Sequence, residues 1–186
     1  MSYFMLSCFG PEDRDSTEIY KIPRFPGVSW LSGARISYNI PEPIELFLDP
    51  KHPGVILPMY YKGVLVLSEE ILGVLSDVGV SNLELFSASL DDPFNNCVHN
   101  NYKVVNIVGA VSAADLVKSN YTAYGELLYD VDFDSLVINE SKAKGALMFR
   151  LAENLTGIVI HECVKSALEN SKIPFLDFIT PEEWLG

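Results

Sequence analysis

The sequence predicts an α+β fold: a mixed or antiparallel sheet packed against two or three helices. Short apolar runs bounded by turn residues predict strands along most of the chain, whereas few stretches show the helical spacing of apolar residues. The chain closes with a strand-strand-helix-strand unit, with apolar runs at 146–151 and 156–160, an amphipathic helix and a last strand at 173–179. Many strands mixed with few helices indicate the α+β class.

The closing helix is defined by its apolar face. Apolar side chains recur there at helical spacing, so this face packs on the sheet while the charged face meets water. Pro174 ends the helix, because proline lacks a backbone N–H and restricts the residue before it. The apolar face consists of Ile160, Val164, Ala167 and Leu168.

A second helix is predicted at 69–77. Ser68 caps its first turn, and Gly79 ends it in the left-handed conformation that glycine tolerates. Residues 91–101 are predicted to form a loop, because acids, a proline and four asparagines are concentrated there. Further strands are predicted at 82–88, 102–111 and 133–139.

The chain divides into a turn-rich β flanking region at 1–54 and an α+β domain at 55–186. Frequent proline and glycine leave no room for a normal helix in the first region, where strands are predicted at 18–22 and 35–40. A chain of 186 residues has the length of one ordinary domain. We therefore expect the two regions to form one compact unit.

The formal charge of −12, with 25 acids against 13 bases, bears on the partner. Nucleic acid is not expected, because its binding depends on lysine and arginine that neutralise phosphates. A basic protein is a more natural partner, although solubility alone is an alternative reason for an acidic surface.

The sequence predicts a cytoplasmic protein without cofactor. Its first residues lack the basic start and long apolar core of a secretory signal, and its apolar runs are too short to span a membrane. Cys8, Cys97 and Cys163 are odd in number and far apart, which indicates reduced thiols and no disulfide framework.

No metal site is predicted. Cys97 with His99, and His161 with Cys163, supply zinc-type ligands, but one residue separates each pair where about two to four are usual. The carboxylates of 130–134 have the alternation of a calcium loop, yet the required glycine and glutamate are missing from it. That segment is better explained as the start of a strand with one acidic face.

No catalytic residue is predicted either. The sequence lacks the nucleophile elbow, the phosphate loop, the dinucleotide-binding glycines and the His-Glu-x-x-His motif. One enzymatic alternative remains open: a small thiol-dependent enzyme that uses Cys163 with His161 or His99, since a helix N-terminus and a histidine lower thiol pKa values.

The segment 120–134 has the composition of a binding surface. Tyrosines alternate there with asparagine, threonine, glycine and aspartate, a mixture found in paratopes because rigid rings supply contact area at small entropic cost. The alternative, equally compatible with the sequence, is that these rings pack on their own sheet.

Several segments resemble a known family. The strongest signals are the spacing of Asn106, Asp115 and Ser119 and the Phe149–Arg150 pair, supported by the apolar pattern of 158–168. Through these, residues 55–178 resemble immunity-protein family eleven of bacterial polymorphic toxin systems. The chain departs from the family at His161, where a serine commonly caps the closing helix, and at 172–174, where a glycine is often found.

The resemblance implies a cytoplasmic antitoxin that binds a cognate toxin effector and blocks its active site, with no enzymatic activity. A generic protein-interaction domain is a further alternative, and no oligomeric state is predicted. An acidic inhibitor would capture a basic toxin quickly, because opposite charge raises association rates. The expected toxin contacts are Asp91, Asp92, Tyr121, Tyr124, Tyr129, Asp130, Asp132 and Asp134.

Overall fold

The computed structural model describes residues 2–12, 14–124 and 131–186. It confirms the α+β class, because within these residues thirteen strands combine with three α-helices. The strands form a five-stranded sheet, a six-stranded sheet and a two-stranded ribbon. No helix among the described residues is long and apolar enough to cross a membrane.

The five-stranded sheet joins the two ends of the chain. The strand that begins at Tyr3 lies between two strands from the closing unit and is antiparallel to both. The other pairs are one antiparallel and one parallel, so the sheet is mixed. In spatial order the strands are β13 (Leu176–Ile179), β1 (Tyr3–Cys8), β12 (Ile158–His161), β11 (Met148–Leu151) and β8 (Ala110–Val111).

The six-stranded sheet is built around one long hairpin. Its two longest strands pair antiparallel across a short turn, and the N-terminal region adds two strands at one edge. In spatial order the strands are β2 (Ile19–Lys21), β3 (Ile44–Leu48), β6 (Leu83–Asp92), β7 (Cys97–Ile107), β5 (Leu65–Ser68) and β4 (Met59–Tyr61). The ribbon pairs β9 (Asn120–Ala123) with β10 (Val131–Ser135).

The first longer helix begins where the sequence predicts, whereas the closing helix begins at Glu162, so Ile160 of its predicted apolar face belongs instead to β12. Ser68 caps α1 (Glu69–Asp77), since its hydroxyl accepts a hydrogen bond from the Ile71 N–H at 3.4 Å, and Gly79 follows the helix with a φ of 91°. The closing helix is α3 (Glu162–Ser171), which ends at Lys172 in the left-handed conformation. A short α2 (Glu140–Ala143) and a 3₁₀ turn (Pro181–Glu183) complete the set.

Three apolar clusters hold these layers together. The first lies between the two sheets and includes the buried faces of α1 and α3. The second covers the opposite face of the six-stranded sheet, under the N-terminal region. The third covers the opposite face of the five-stranded sheet, under the ribbon, α2 and Trp184. The five-stranded sheet is therefore buried on both faces.

Several sequence-based element predictions are wrong. Residues 91–101 are the end of β6, a four-residue turn and the start of β7, because pairing across the hairpin overrides their loop-forming composition. No strand forms at 35–40; β3 lies further along the chain. The N-terminal β1 was not predicted, and it places part of the predicted flanking region inside the sheet of the closing unit.

Glu84 on β6 ties the irregular segment near residue 35 to the long hairpin. Its Oε2 accepts hydrogen bonds from the Ile36 N–H at 3.0 Å and from Asn106 Nδ2 at 2.9 Å, and Arg35 lies 3.4 Å from Oε1. Burial alone would raise the pKa of Glu84, but these hydrogen bonds and the guanidinium charge outweigh it and hold the pKa below its ordinary value.

We predict that Glu84→Gln lowers the free energy of unfolding by about 1–3 kcal/mol near neutral pH, because the hydrogen bonds lose an ionised acceptor. A lowered folded-state pKa contributes stability that is present above the unfolded-state pKa of about 4.3 and is lost as the pH falls through the folded-state value. The difference between wild type and variant should therefore shrink from about pH 6 to about pH 3 in urea unfolding.

The matched control for this experiment is Glu45→Gln, an exposed glutamate on β3. It should change stability by less than about 0.5 kcal/mol at either pH. A difference for Glu84→Gln that stayed constant across the pH range would contradict the role assigned to the ionised carboxylate.

Candidate functional site

The outer face of the β9–β10 ribbon carries two of the expected contact residues. Asp132 and Asp134 are exposed and alternate with the buried Val131 and Phe133, which confirms the predicted strand with one acidic face. Within the described part of the chain, no lysine, arginine or histidine forms an ion pair with either aspartate. Both carboxylates are therefore accessible to a cationic partner.

The tyrosines of the same segment occupy two different environments. Tyr121 is half-buried and its ring packs on Phe133, with centroids 6.0 Å apart, so it serves the ribbon's own core. Tyr124 follows β9 with 57% of its surface exposed. Tyr129 and Asp130 lie outside the described residues. Among the described tyrosines of this segment, Tyr124 is therefore the more exposed.

Asp91, itself half-buried, lies between two exposed apolar side chains of the six-stranded sheet, and the three form what we call the exposed row. The strand register places it between Phe47 on β3 and Val98 on β7. Phe47 is 39% exposed and Val98 49% exposed, so two exposed apolar side chains flank Asp91. Sequence reasoning missed both, although the alternation of apolar and polar residues in 44–48 is a strand signal that would have identified Phe47 as outward-facing.

Asp92 points to the opposite face and is buried, at 1% exposure. Its Oδ1 accepts from the N–H groups of Phe94 at 2.9 Å and Asn95 at 3.1 Å, and its Oδ2 accepts from Asn95 Nδ2 at 2.8 Å. Burial would raise the pKa of Asp92, but these bonds and one from His99 lower it overall. The carboxylate therefore fixes the turn of the β6–β7 hairpin.

The expected contacts thus belong to two separate places in the fold. The hairpin is part of the six-stranded sheet, and its buried side chains belong to the second cluster. The ribbon's buried side chains belong to the third cluster, on the far side of the other sheet. Among the members of the two sets that the structure describes, no hydrogen bond joins the hairpin residues to the ribbon residues.

The structure also assigns histidine partners to the exposed thiols. His161 Nδ1 lies 3.1 Å from Cys163 Sγ and accepts the Cys163 N–H at 3.2 Å, so this histidine caps α3. His99 lies beside Cys97, with Nε2 3.6 Å from Sγ. Of the two histidines considered as partners for Cys163, His161 is the one that lies beside it in the structure.

A cleft of about 400 Å³ opens between β1, β4 and the segment near Thr17. Cys8 lines it, and burial raises the pKa of this thiol to about 11. The hydroxyls of Thr17 and Tyr60 lie 2.7 Å apart within it. A thiol that stays protonated at physiological pH is a poor nucleophile, so the cleft does not combine a reactive group with a base.

The residues that carried the family resemblance build the interior. Asn106 is fully buried and bridges Ala34 and Glu84 through its Nδ2. Ser119 donates to the Asp115 carbonyl at 2.8 Å and accepts the N–H of residue 137 at 2.9 Å. They hold loops and strands in place without facing a partner.

The Phe149–Arg150 pair has the same structural character. Phe149 packs in the third cluster, and Arg150 turns toward the opposite face of β11, where it is fully buried. Its Nη1 donates to the Tyr61 hydroxyl at 3.1 Å and to the Leu155 carbonyl at 2.9 Å, and the guanidinium lies over the Tyr61 ring. The pair thus ties β11 to both neighbouring layers.

Comparison with known proteins assigns the chain to a family. The model of the immunity protein family (Imm11) matches residues 11–182, which is most of the chain and extends beyond the resemblance at 55–178. A comparison with curated proteins found no match. The family match agrees with the residue pattern and with the scaffold role of the residues that carry it. The chain belongs to the immunity protein family Imm11.

Proposed function

We propose that this protein is an antitoxin that binds a cognate bacterial toxin effector and blocks it, protecting the producing cell from within its cytoplasm. The observation that carries the proposal is membership of the immunity protein family across residues 11–182. The fold is compatible with a binding role, because the two-stranded ribbon exposes acidic side chains and the six-stranded sheet exposes apolar ones.

The proposed toxin is basic. The chain carries a net charge of −12, and the ribbon contributes two exposed carboxylates to it, Asp132 and Asp134, which form no ion pair with the described residues. Opposite charge steers partners together and raises the association rate, most strongly at low ionic strength. The same charge disfavours nucleic acid as a direct partner.

Two surfaces are proposed for toxin contact. The first is the acidic face of the segment 120–134, with Tyr124, Asp132 and Asp134 as its described members and with Tyr129 and Asp130 from the same stretch. Tyr121 would support this surface indirectly, because its ring packs on Phe133 in the core of the ribbon. The second is the exposed row of Phe47, Asp91 and Val98, where Asp92 acts by fixing the adjacent turn.

The alternative function is a thiol-dependent enzyme, and one observation favours it: Cys163 Sγ lies 3.1 Å from His161 Nδ1 on the surface. That nitrogen, however, already accepts the Cys163 N–H, so its lone pair is engaged in capping the helix. Among the described residues, no side chain hydrogen-bonds the other ring nitrogen to orient it, whereas catalytic histidines are normally held in this way.

The first test is rescue by co-expression. The toxin domain encoded by the neighbouring gene is produced in a susceptible bacterium with and without this chain, and survivors are counted. We predict that the chain restores survival and co-purifies with the toxin in a stoichiometric complex. Killing in both cultures with no complex between the purified proteins would contradict the proposal.

The co-expression assay also distinguishes a toxin-binding protein from a thiol-dependent enzyme. Cys163→Ala removes the only thiol beside His161, and Cys163 is exposed, so the variant should fold normally. We predict unchanged survival and unchanged complex formation. Loss of rescue by a folded Cys163→Ala protein, or covalent alteration of the toxin without a stable complex, would support the enzyme instead.

Charge reversal tests the acidic ribbon. We predict that Asp132→Lys with Asp134→Lys slows association with the toxin by about tenfold or more and weakens its salt dependence, because rim charges act mainly on the association rate. Surface plasmon resonance at several salt concentrations measures both. Stability should stay within about 0.5 kcal/mol, because both side chains are exposed.

The matched control is Asp77→Lys with Asp177→Lys. Both aspartates are exposed, one ends α1 and the other lies on the edge strand β13, and the double variant changes the net charge by the same amount. It should bind nearly as fast as wild type. Equal slowing by both double variants would show that overall charge, and not the ribbon, controls association.

A further inference from the structure

The turn of the β6–β7 hairpin gathers three side chains that bind transition metals. Asp92 Oδ2, Cys97 Sγ and His99 Nε2 all lie within 4.8 Å of one another. The N–O distance is 3.2 Å, the S–N distance 3.6 Å and the S–O distance 4.0 Å. A carboxylate, a thiol and an imidazole thus converge on a single point.

Strand geometry removes the spacing objection to a metal site at this turn. The one-residue spacing of Cys97 and His99 would separate their side chains on a helix, but on a β-strand residues two apart point to the same face. Asp92 pairs directly with Cys97 across the hairpin, and Leu90 pairs with His99, so all three ligands share that face.

The distances between the ligand atoms match tetrahedral coordination. Zinc bonds of about 2.0–2.1 Å to nitrogen and oxygen and about 2.3 Å to sulfur place the ligand atoms about 3.3–3.6 Å apart in a tetrahedron. The S–N and N–O distances already lie within about 0.1 Å of this range, and the S–O distance needs to shorten by about 0.4 Å. Rotation of the exposed Cys97 side chain is sufficient for that.

The site is held in place by its surroundings. Asp92 is buried, and its Oδ1 is fixed by two backbone N–H groups while Asn95 donates to one side of Oδ2. The second lone pair of Oδ2 faces His99. The His99 ring packs edge-on against Tyr102, with centroids 6.5 Å apart. Such outer contacts orient metal ligands before the ion binds.

We propose that Asp92, Cys97 and His99 form a zinc site with three protein ligands and one open position. Binding releases the thiol proton of Cys97, because the thiolate is the ligand, and leaves the His99 proton on Nδ1. The thiolate and imidazole favour a borderline ion over Mg²⁺ or Ca²⁺. The ion joins β6 to β7 across the turn, next to the exposed row of Phe47, Asp91 and Val98.

The test uses Co²⁺ as a coloured substitute and Zn²⁺ as its competitor. The reduced full-length chain, without a histidine tag, is titrated with Co²⁺ while visible d–d bands and the thiolate-to-cobalt band are recorded. We expect tetrahedral bands that saturate at one ion per chain and disappear when Zn²⁺ is added. Cys97→Ser and His99→Ala should each weaken binding by at least about 100-fold, since even outer-shell changes cost about 10–100-fold.

Cys163→Ser is the matched control. It removes an exposed thiol that also has a neighbouring histidine. Among the described residues, however, no third metal-ligating side chain joins that pair. Binding should be unchanged in this variant. The proposal is overturned if wild type shows no saturating cobalt spectrum, or if the spectrum survives Cys97→Ser and His99→Ala in folded protein. Loss of the spectrum only in Cys163→Ser would also overturn it.

Discussion

The insertion of β1 between β12 and β13 is the constraint on which the rest of the structure depends. The first strand of the chain completes a sheet whose other central strands come from its last third. Tyr3 and Met5 face the third cluster, while Leu6 faces the first, so β1 contributes to the core on both sides. Because this sheet is buried on both faces, the layers that carry the hairpin and the ribbon are positioned from it.

The sequence predicts local elements well and long-range pairing poorly. The bounds of α1 were predicted correctly from its capping serine and the spacing of its apolar residues. The helix α3 was predicted from the apolar residues of its buried face. Both predictions succeed because a helix depends on contacts within one segment. The strand β1 pairs with residues more than 150 positions away, and no local pattern reveals such partners. Residues 91–101 were predicted to form a loop for the same reason. Each half of this stretch looks polar by itself, and its strand character depends on pairing with the other half.

The wrong loop prediction for 91–101 also affected the interpretation of Cys97 and His99 as metal ligands. Whether Cys97 and His99 can act together depends on their backbone conformation, because a spacing of two brings side chains together only on a strand. By contrast, the acidic face of 131–134 was predictable, since the alternation with Val131 and Phe133 is itself the strand signal. Among the residues on which the family resemblance rests, Asn106, Phe149 and Arg150 are buried, whereas Asp115 and Ser119 are half-buried.

We propose that the chain neutralises a toxin by binding it through exposed surfaces of the ribbon or the β6–β7 hairpin. Hydrogen–deuterium exchange of the chain, alone and with an equimolar amount of its neighbouring toxin, tests this most directly. We predict that the toxin slows exchange in peptides covering the ribbon or the β6–β7 hairpin. Exchange at the start of α3, around His161 and Cys163, should not change. Unchanged exchange throughout the chain, or protection confined to the start of α3, would contradict it.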